Sequence, residues 1–427
     1  MRYASLVLGT LLILSPGPAA AGDAPQGVRV SDAGHKAQGP EIALGPDGAV
    51  YVVWIDEDAA PKSVDPQHGH SHMAATNLLF ARSTDGGRSF SEPVQVNSKP
   101  GEVWGFTVSK PRITVGANGT LHVFYPANDV NPGNGKPEAV ALYTRSTDQG
   151  RSFSAPQRLN TMASTDASHL VHGGLTHAHV FGTIAVDRKA QVYALWTDTR
   201  DMTRESDFAK VFMAVSRDDG QSFGKDAEVF PGDVCPCCQL TAFVDSRDRL
   251  FIGSRQVEGT LRDSTVAMST DGGRNFSARQ RIVGEQRWSI EGCPLKPTSV
   301  AAEGGNLYAT YFSGGESPAG AYFVRSTDGG ANWSAPMLAH PGALTSDAPV
   351  VALAGGTLHL FWHAKVGDGP RRLYTRASTD GGAGFGPVTE IPAPPGAAQL
   401  PVVAGRPDGS VQLAWQQGTE IRSMAWR

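Results

Sequence analysis

Two stretches of this chain hold most of its histidine. His68-Gly-His70-Ser-His72 is followed by Met73, and His169, His172, His177 and His179 fall close together further on. Alternate residues of an extended segment point to one side, so His68, His70 and His72 can face one ion. The four cysteines are as confined, in Cys235-Pro-Cys237-Cys238 and in Gly292-Cys293-Pro294. Closely spaced thiolates with imidazole and thioether nearby suit a soft cation, copper or zinc. The same cysteines also suit two structural disulfides in an oxidising compartment, and four allow three complete pairings. The two readings can coexist, with bridges at the cysteines and metal at the histidines. A third polar group is Trp196-Thr-Asp198-Thr-Arg200. Its plain reading is a loop salt bridge.

Composition sets what must hold these groups in place. The chain has 427 residues, 50 glycines, 29 prolines and only 18% charged residues, without heptads. That favours a large all-β domain with many turns. The net charge of −4 comes without a Lys/Arg block, which excludes a nucleic-acid footprint. Residues 1–21 read as a signal peptide. Arg2 supplies the positive end, Ala4 to Leu14 the apolar stretch, and Ala19-Ala20-Ala21 the small-residue cleavage site. The apolar run is too short to span a bilayer, and no later segment is apolar enough. The expectation is one exported domain over 22–427, periplasmic or secreted.

Six near-identical segments then decide the fold. They begin at Ser83, Ser146, Ser216, Ser269, Ser326 and Ser378 and read Ser-x-Asp-x-Gly-x-x-Phe/Trp, as in Ser83-Thr-Asp-Gly-Gly-Arg-Ser-Phe90. Their aspartates are Asp85, Asp148, Asp218, Asp271, Asp328 and Asp380, spaced 63, 70, 53, 57 and 52 residues apart. Such a segment is a tight hairpin. Its carboxylate accepts turn N–H groups, its glycine takes a positive φ, and its aromatic ring packs back under the turn. Between the boxes lie seven pairs of apolar runs joined by turns, among them Ile42–Trp54 and Ile113–Tyr125.

The segment resembles the Asp box of sialidases and related BNR-repeat β-propellers, and the likeness extends over nearly the whole mature length. It implies four-stranded blades, A to D, with the box between C and D. Seven strand pairs against six boxes give seven blades, where true sialidases have six. The last blade lacks a D strand, which the N-terminal run Gly27–Ser31 is expected to supply, closing the ring without open edges. Such a ring needs no partner to protect it, so a monomer is expected. The topology also sorts the loops. The A–B turns and Asp boxes share one face, while the D–A and B–C loops, with the cysteines and most histidines, share the other.

A sialidase resemblance implies three arginines gripping a carboxylate, a Tyr/Glu nucleophile pair and an acid/base Asp. The family's Arg-Ile-Pro motif is missing. Lys110-Pro111-Arg112-Ile113 has its proline on the wrong side and lies in blade 2. Asp198, Arg200, Arg255 and Arg262 are the catalytic candidates on the loop face, with Asp56, Asp263 and Arg287 near them and Tyr125 and Tyr311 at strand ends. Cys235, Cys237, Cys238, Trp288, Ile290, Gly292, Cys293 and Pro294 resemble a motif of exported sialidase-like proteins. Three functions follow as expectations. The first is a binding protein using its Cys/His-rich face for a metal ion, a glycan or a partner. The others are an exo-α-sialidase and a non-catalytic scaffold.

Overall fold

The computed structural model describes residues 26–57, 76–131, 135, 137–161, 178–202 and 208–427. The described chain is all β, in seven antiparallel four-stranded sheets. Blade 1 is Lys36–Leu44, Val50–Glu57, Thr76–Ser83 and Val94–Gln95, strands A to D in order. Blade 2 is Arg112–Val115, Leu121–Val130, Pro137–Ser146 and Gln157–Arg158. Blade 3 is His179–Val186, Val192–Asp198, Lys210–Ser216 and Ala227–Glu228. Blade 4 is Thr241–Val244, Leu250–Glu258, Leu261–Ser269 and Gln280–Arg281. Blade 5 is Ser299–Glu303, Asn306–Ser313, Gly320–Ser326 and Met337–Leu338. Blade 6 is Thr345–Ala354, Thr357–Lys365, Arg372–Ser378 and Thr389–Glu390. Blade 7 takes Ala398–Gly405, Val411–Gln417 and Glu420–Trp426 from the C-terminal end. Its fourth strand is Val28–Arg29, with Val28 opposite Ser423.

Each strand A touches the A strands on either side, and blade 7 touches blade 1, so the A strands form the inner ring. The B strands are buried along their length, as in Val192–Asp198, because both sheet faces are covered by neighbouring blades. The core therefore lies between blades. Tyr143 and Phe124 of blade 2 pack with Ile184 and Trp196 of blade 3, and Phe323 of blade 5 with Leu360 and Trp362 of blade 6.

The Asp boxes lock these joints. In the first, Asp85 accepts the N–H groups of Arg88 and Ser89, both at 3.0 Å, and the Ser83 hydroxyl at 2.7 Å. The Ser83 oxygen in turn accepts Gly87 N–H at 2.8 Å. The box aromatic reaches further than its own turn. Phe153 meets Phe80 of blade 1 edge-on at 5.4 Å, and Phe223 meets Tyr143 of blade 2 at 4.7 Å. Boxes and A–B turns share a face, since Asn118 and Thr120 of one turn donate to Asp219 in the box of blade 3. No described helix is long and apolar enough to cross a membrane.

Candidate ligand site and sulfur cluster on the loop face

The A strands enter the ring through kinks. In blades 1, 3, 6 and 7 the A–B register shifts near the strand start. Left-handed backbone marks the same places, at Gly39, Phe181, Ala348 and Leu400, and at Leu295 ahead of strand A of blade 5. A bulge turns the strand and re-aims its side chains. Non-glycine residues in this region cost about 1–2 kcal/mol each, so the surrounding packing must impose the shape.

These entries surround a cavity of about 170 Å³ at the loop-face end of the ring. Leu295, Val350, Leu400 and Val402 give it apolar walls, and Glu41, Lys110, Arg112, Lys296 and Asp347 give it charge. Glu41 pairs with Lys110 at 2.9 Å and with Arg112 at 2.7 Å, and Lys296 pairs with Asp347. Arg112 also donates to Leu240 O and Lys110 to Pro40 O. Burial pulls the Lys110 ammonium down to about 8, helped by Arg112 and opposed by Glu41. Burial would raise Glu41, but Arg112 and Lys110 outweigh it and hold the carboxyl below its usual range. Sequence reasoning missed Glu41, Lys296 and Asp347 as site residues and noticed Lys110 and Arg112 only as part of a broken motif. The available signal was a charged residue just ahead of the apolar half of strand A.

Asp198, Arg200, Arg255 and Arg262 are not among the residues lining this cavity. Asp198 is buried and bonds His179 Nδ1 at 2.8 Å, Trp196 Nε1 at 2.8 Å and Arg200 Nη2 at 2.6 Å. Arg200 also reaches Asp226 at 2.5 Å and lies over the Phe212 ring. Burial would raise the Asp198 carboxyl, yet His179 and Arg200 hold it well below the carboxylate range. Arg255 is buried and gives its donors to the carbonyls of Lys296, Arg262 and Phe312. Arg262 donates to Gly259 O and lies over Phe208. Asp263 is held by Arg287 at 2.6 Å, and Asp56 faces His35 at 2.9 Å. Burial, with Glu102 and Glu316 respectively, pushes the Tyr125 and Tyr311 hydroxyls above their usual range.

Behind the cavity wall formed by Leu295 and Lys296, the two cysteine segments meet. Cys237 and Cys293 form a disulfide. Cys235 and Cys238 are buried thiols whose sulfurs lie 3.1 Å apart. Cys235 Sγ is also 3.7 Å from Cys237 Sγ and 3.9 Å from Cys293 Sγ. Trp104, Phe181, Met202 and Val257 pack around the group. Burial would raise the Cys238 thiol. The Cys235 hydrogen bond, Arg255 and the N–H groups of Lys296 and Leu295 overcome this and bring it down to about 7. His179 is buried, and its Nε2 has no hydrogen-bond partner among the described residues. His68, His70, His72, His169, His172 and His177 lie outside the described residues, as does the segment 1–21.

Residues 105–301 match the BNR repeat-like domain family. No curated protein matches the sequence. A crystal structure of a protein of unknown function from Dyadobacter fermentans shares 14% identity at a TM-score of 0.50, over 83% of this chain and 99% of that one. An α-L-arabinofuranosidase from Fusarium graminearum shares 11% identity at a TM-score of 0.52, over 83% and 96%. A Hadza microbial sialidase shares 15% identity at a TM-score of 0.49, over 84% and 74%. Residues 105–301 thus resemble a BNR repeat-like domain, and the likeness to solved structures shows a β-propeller fold.

Proposed function

We propose that this chain is a binding propeller whose ligand is a small anion, an acidic sugar unit, held in the cavity at the loop-face end of the ring. One observation carries the reading. Lys110, Arg112 and Lys296 face only two cavity carboxylates, Glu41 and Asp347, so one positive charge is uncompensated in a half-open pocket. A planar guanidinium and an ammonium on one wall suit a carboxylate, and the valine and leucine walls suit the apolar face of a sugar ring. The size fits one ring, since an apolar cavity of about 150 Å³ takes up benzene. In this proposal the protein acts outside the cytoplasm, after loss of its signal-like segment.

Saturation-transfer NMR with N-acetylneuraminic acid, glucuronic acid and neutral glucose tests this. The acidic sugars are expected to bind and glucose not. Arg112→Gln should weaken binding roughly tenfold or more, the size of a lost hydrogen bond to a charged group. Affinity should fall as pH rises through about 8, where Lys110 loses its proton beside Glu41 and Arg112. Equal binding of glucose and the acids would overturn the reading. Turnover of a fluorogenic sialoside that Arg112→Gln abolishes would replace it with the hydrolase.

A further inference from the structure

We propose that Cys235, Cys237, Cys238 and Cys293 together form a redox-gated site for one thiophilic d10 cation, zinc(II) or copper(I). This site is separate from the cavity ligand and does not depend on it. Cys237 and Cys293 are bonded to each other, and the Cys235 sulfur lies within 4.8 Å of both and 3.1 Å from Cys238. A tetrahedron with metal–sulfur bonds of about 2.3 Å has an edge of about 3.8 Å. Cys235 stands 3.7 and 3.9 Å from Cys237 and Cys293, so two edges are in place without moving its backbone.

Charge is the second argument, and it separates a thiolate site from a pair of disulfides. Arg255 is 2% exposed and packs beside Cys235 and Cys238. Three of its donors go to uncharged carbonyls, and its remaining polar partner is the Cys238 sulfur. Asp263, the carboxylate that acts on Arg255, is taken up by Arg287 and the Trp288 N–H. A buried cation without a counter-charge is costly. Two disulfides are neutral and leave that cost in place. Thiolates around a metal ion carry the missing negative charge, and the N–H groups of Leu295 and Lys296 spread it. The apolar wall of Trp104, Phe181 and Met202 keeps water away, while Cys293 is the partly exposed member through which an ion or a reductant enters.

The Cys237–Cys293 bond is the gate. A dithiol reductant transfers two electrons to it. The S–S bond breaks into two thiols and the reductant becomes a disulfide. The entering cation then displaces thiol protons to the solvent, and four sulfurs become available where the bridged state offers two. Reoxidation by a disulfide of higher potential reverses the sequence and releases the ion.

Native mass spectrometry and cobalt(II) titration of the full mature chain test this, with and without a phosphine reductant. Reduced protein is expected to take up one zinc or one copper(I), and cobalt to give a sulfur-to-metal charge-transfer band. The bridged form should bind at least tenfold more weakly. Cys235→Ser and Cys293→Ser should each weaken both the band and the affinity, since one of the four metal–sulfur bonds is lost. Arg255→Met should lower affinity about 10–100-fold, as loss of a group supporting the ligands does. The wild-type measurements need no variant to fold. Reduced, folded protein whose four thiols stay free in the presence of each ion would sink the proposal. So would a Cys235–Cys238 bridge that persists under a dithiol.

Discussion

Asp198 shows how much one carboxylate can organise. It takes hydrogen bonds from His179, Trp196 and the Arg200 side chain, and from the Arg200 N–H. Arg200 bridges onward to Asp226, which ties strand B of blade 3 to its own D-strand region. Removing one member of a buried pair costs about 3–5 kcal/mol where the other charge is left alone, and less where a second carboxylate remains, as Asp226 does for Arg200. Asp198→Asn is therefore expected to lower stability by about 2–3 kcal/mol in urea unfolding. A loss under about 1 kcal/mol would mean that the network is only a surface pair and that Arg200 is free to meet a ligand. The residues Trp196-Thr-Asp198-Thr-Arg200 stand out in sequence because they are neighbours. The cavity charges do not, because Glu41, Lys110, Lys296 and Asp347 come from the entries of blades 1, 2, 5 and 6 and meet only once the ring forms. The cysteine cluster was half legible. A dense segment of three cysteines and a fourth at the neighbouring blade entry implied contact, but the burial of Arg255 beside them has no local signature.

The Asp box was legible because it is local, and what it does between blades was not. Gly220 has φ +77°, and a Cβ there would lie 1.8 Å from the Tyr143 hydroxyl of the preceding blade. Gly119, in the A–B turn of blade 2, has φ +84° and open space around it. Gly119→Ala should cost only the backbone strain, about 1–2 kcal/mol. Gly220→Ala should cost about 1–3 kcal/mol more, the usual range for overpacking. Equal denaturation midpoints for the two variants would show that the joint is not tight. The boxes also add to the acid sensitivity of the fold. Hydrogen bonds from Ser222 hold the Asp218 carboxyl down to about 2, and Asp328 reaches the same value through Asn332. An unfolded Asp titrates near 3.9. Because the folded value is the lower one, this stabilisation is complete above pH ~4 and is lost as pH falls toward 2. Ser222→Ala should be destabilised at pH 7 and match the wild type near pH 2. A difference that does not change with pH would assign the serine a packing role instead.

At the scale of the whole molecule, what distinguishes blade 7 is its borrowed strand. Six blades end in a box and a D strand made in sequence. In the seventh, strand C pairs with Val28–Arg29, nearly four hundred residues away, so two distant segments of the chain meet in one sheet. The contact goes beyond a two-residue ladder. Val30 N–H donates to Ile421 O, the Ser31 hydroxyl accepts Ile421 N–H, and Gly27 lies against the Trp415 ring. Val30 is buried, which contributes about 1.5–3 kcal/mol by itself. Without this segment Glu420–Trp426 would be an edge with unpaired N–H and C=O groups, open to pairing with a second chain. A chain starting at Asp32 is therefore expected to melt earlier than one starting at Gln26. It should also associate with rising concentration, as followed by light scattering, while the longer chain stays monomeric. Both effects are required. Lower melting without association would mean that the segment only fills space beside Trp415. If neither appeared, the ring would owe its integrity to the contacts between the A strands of blades 7 and 1 alone.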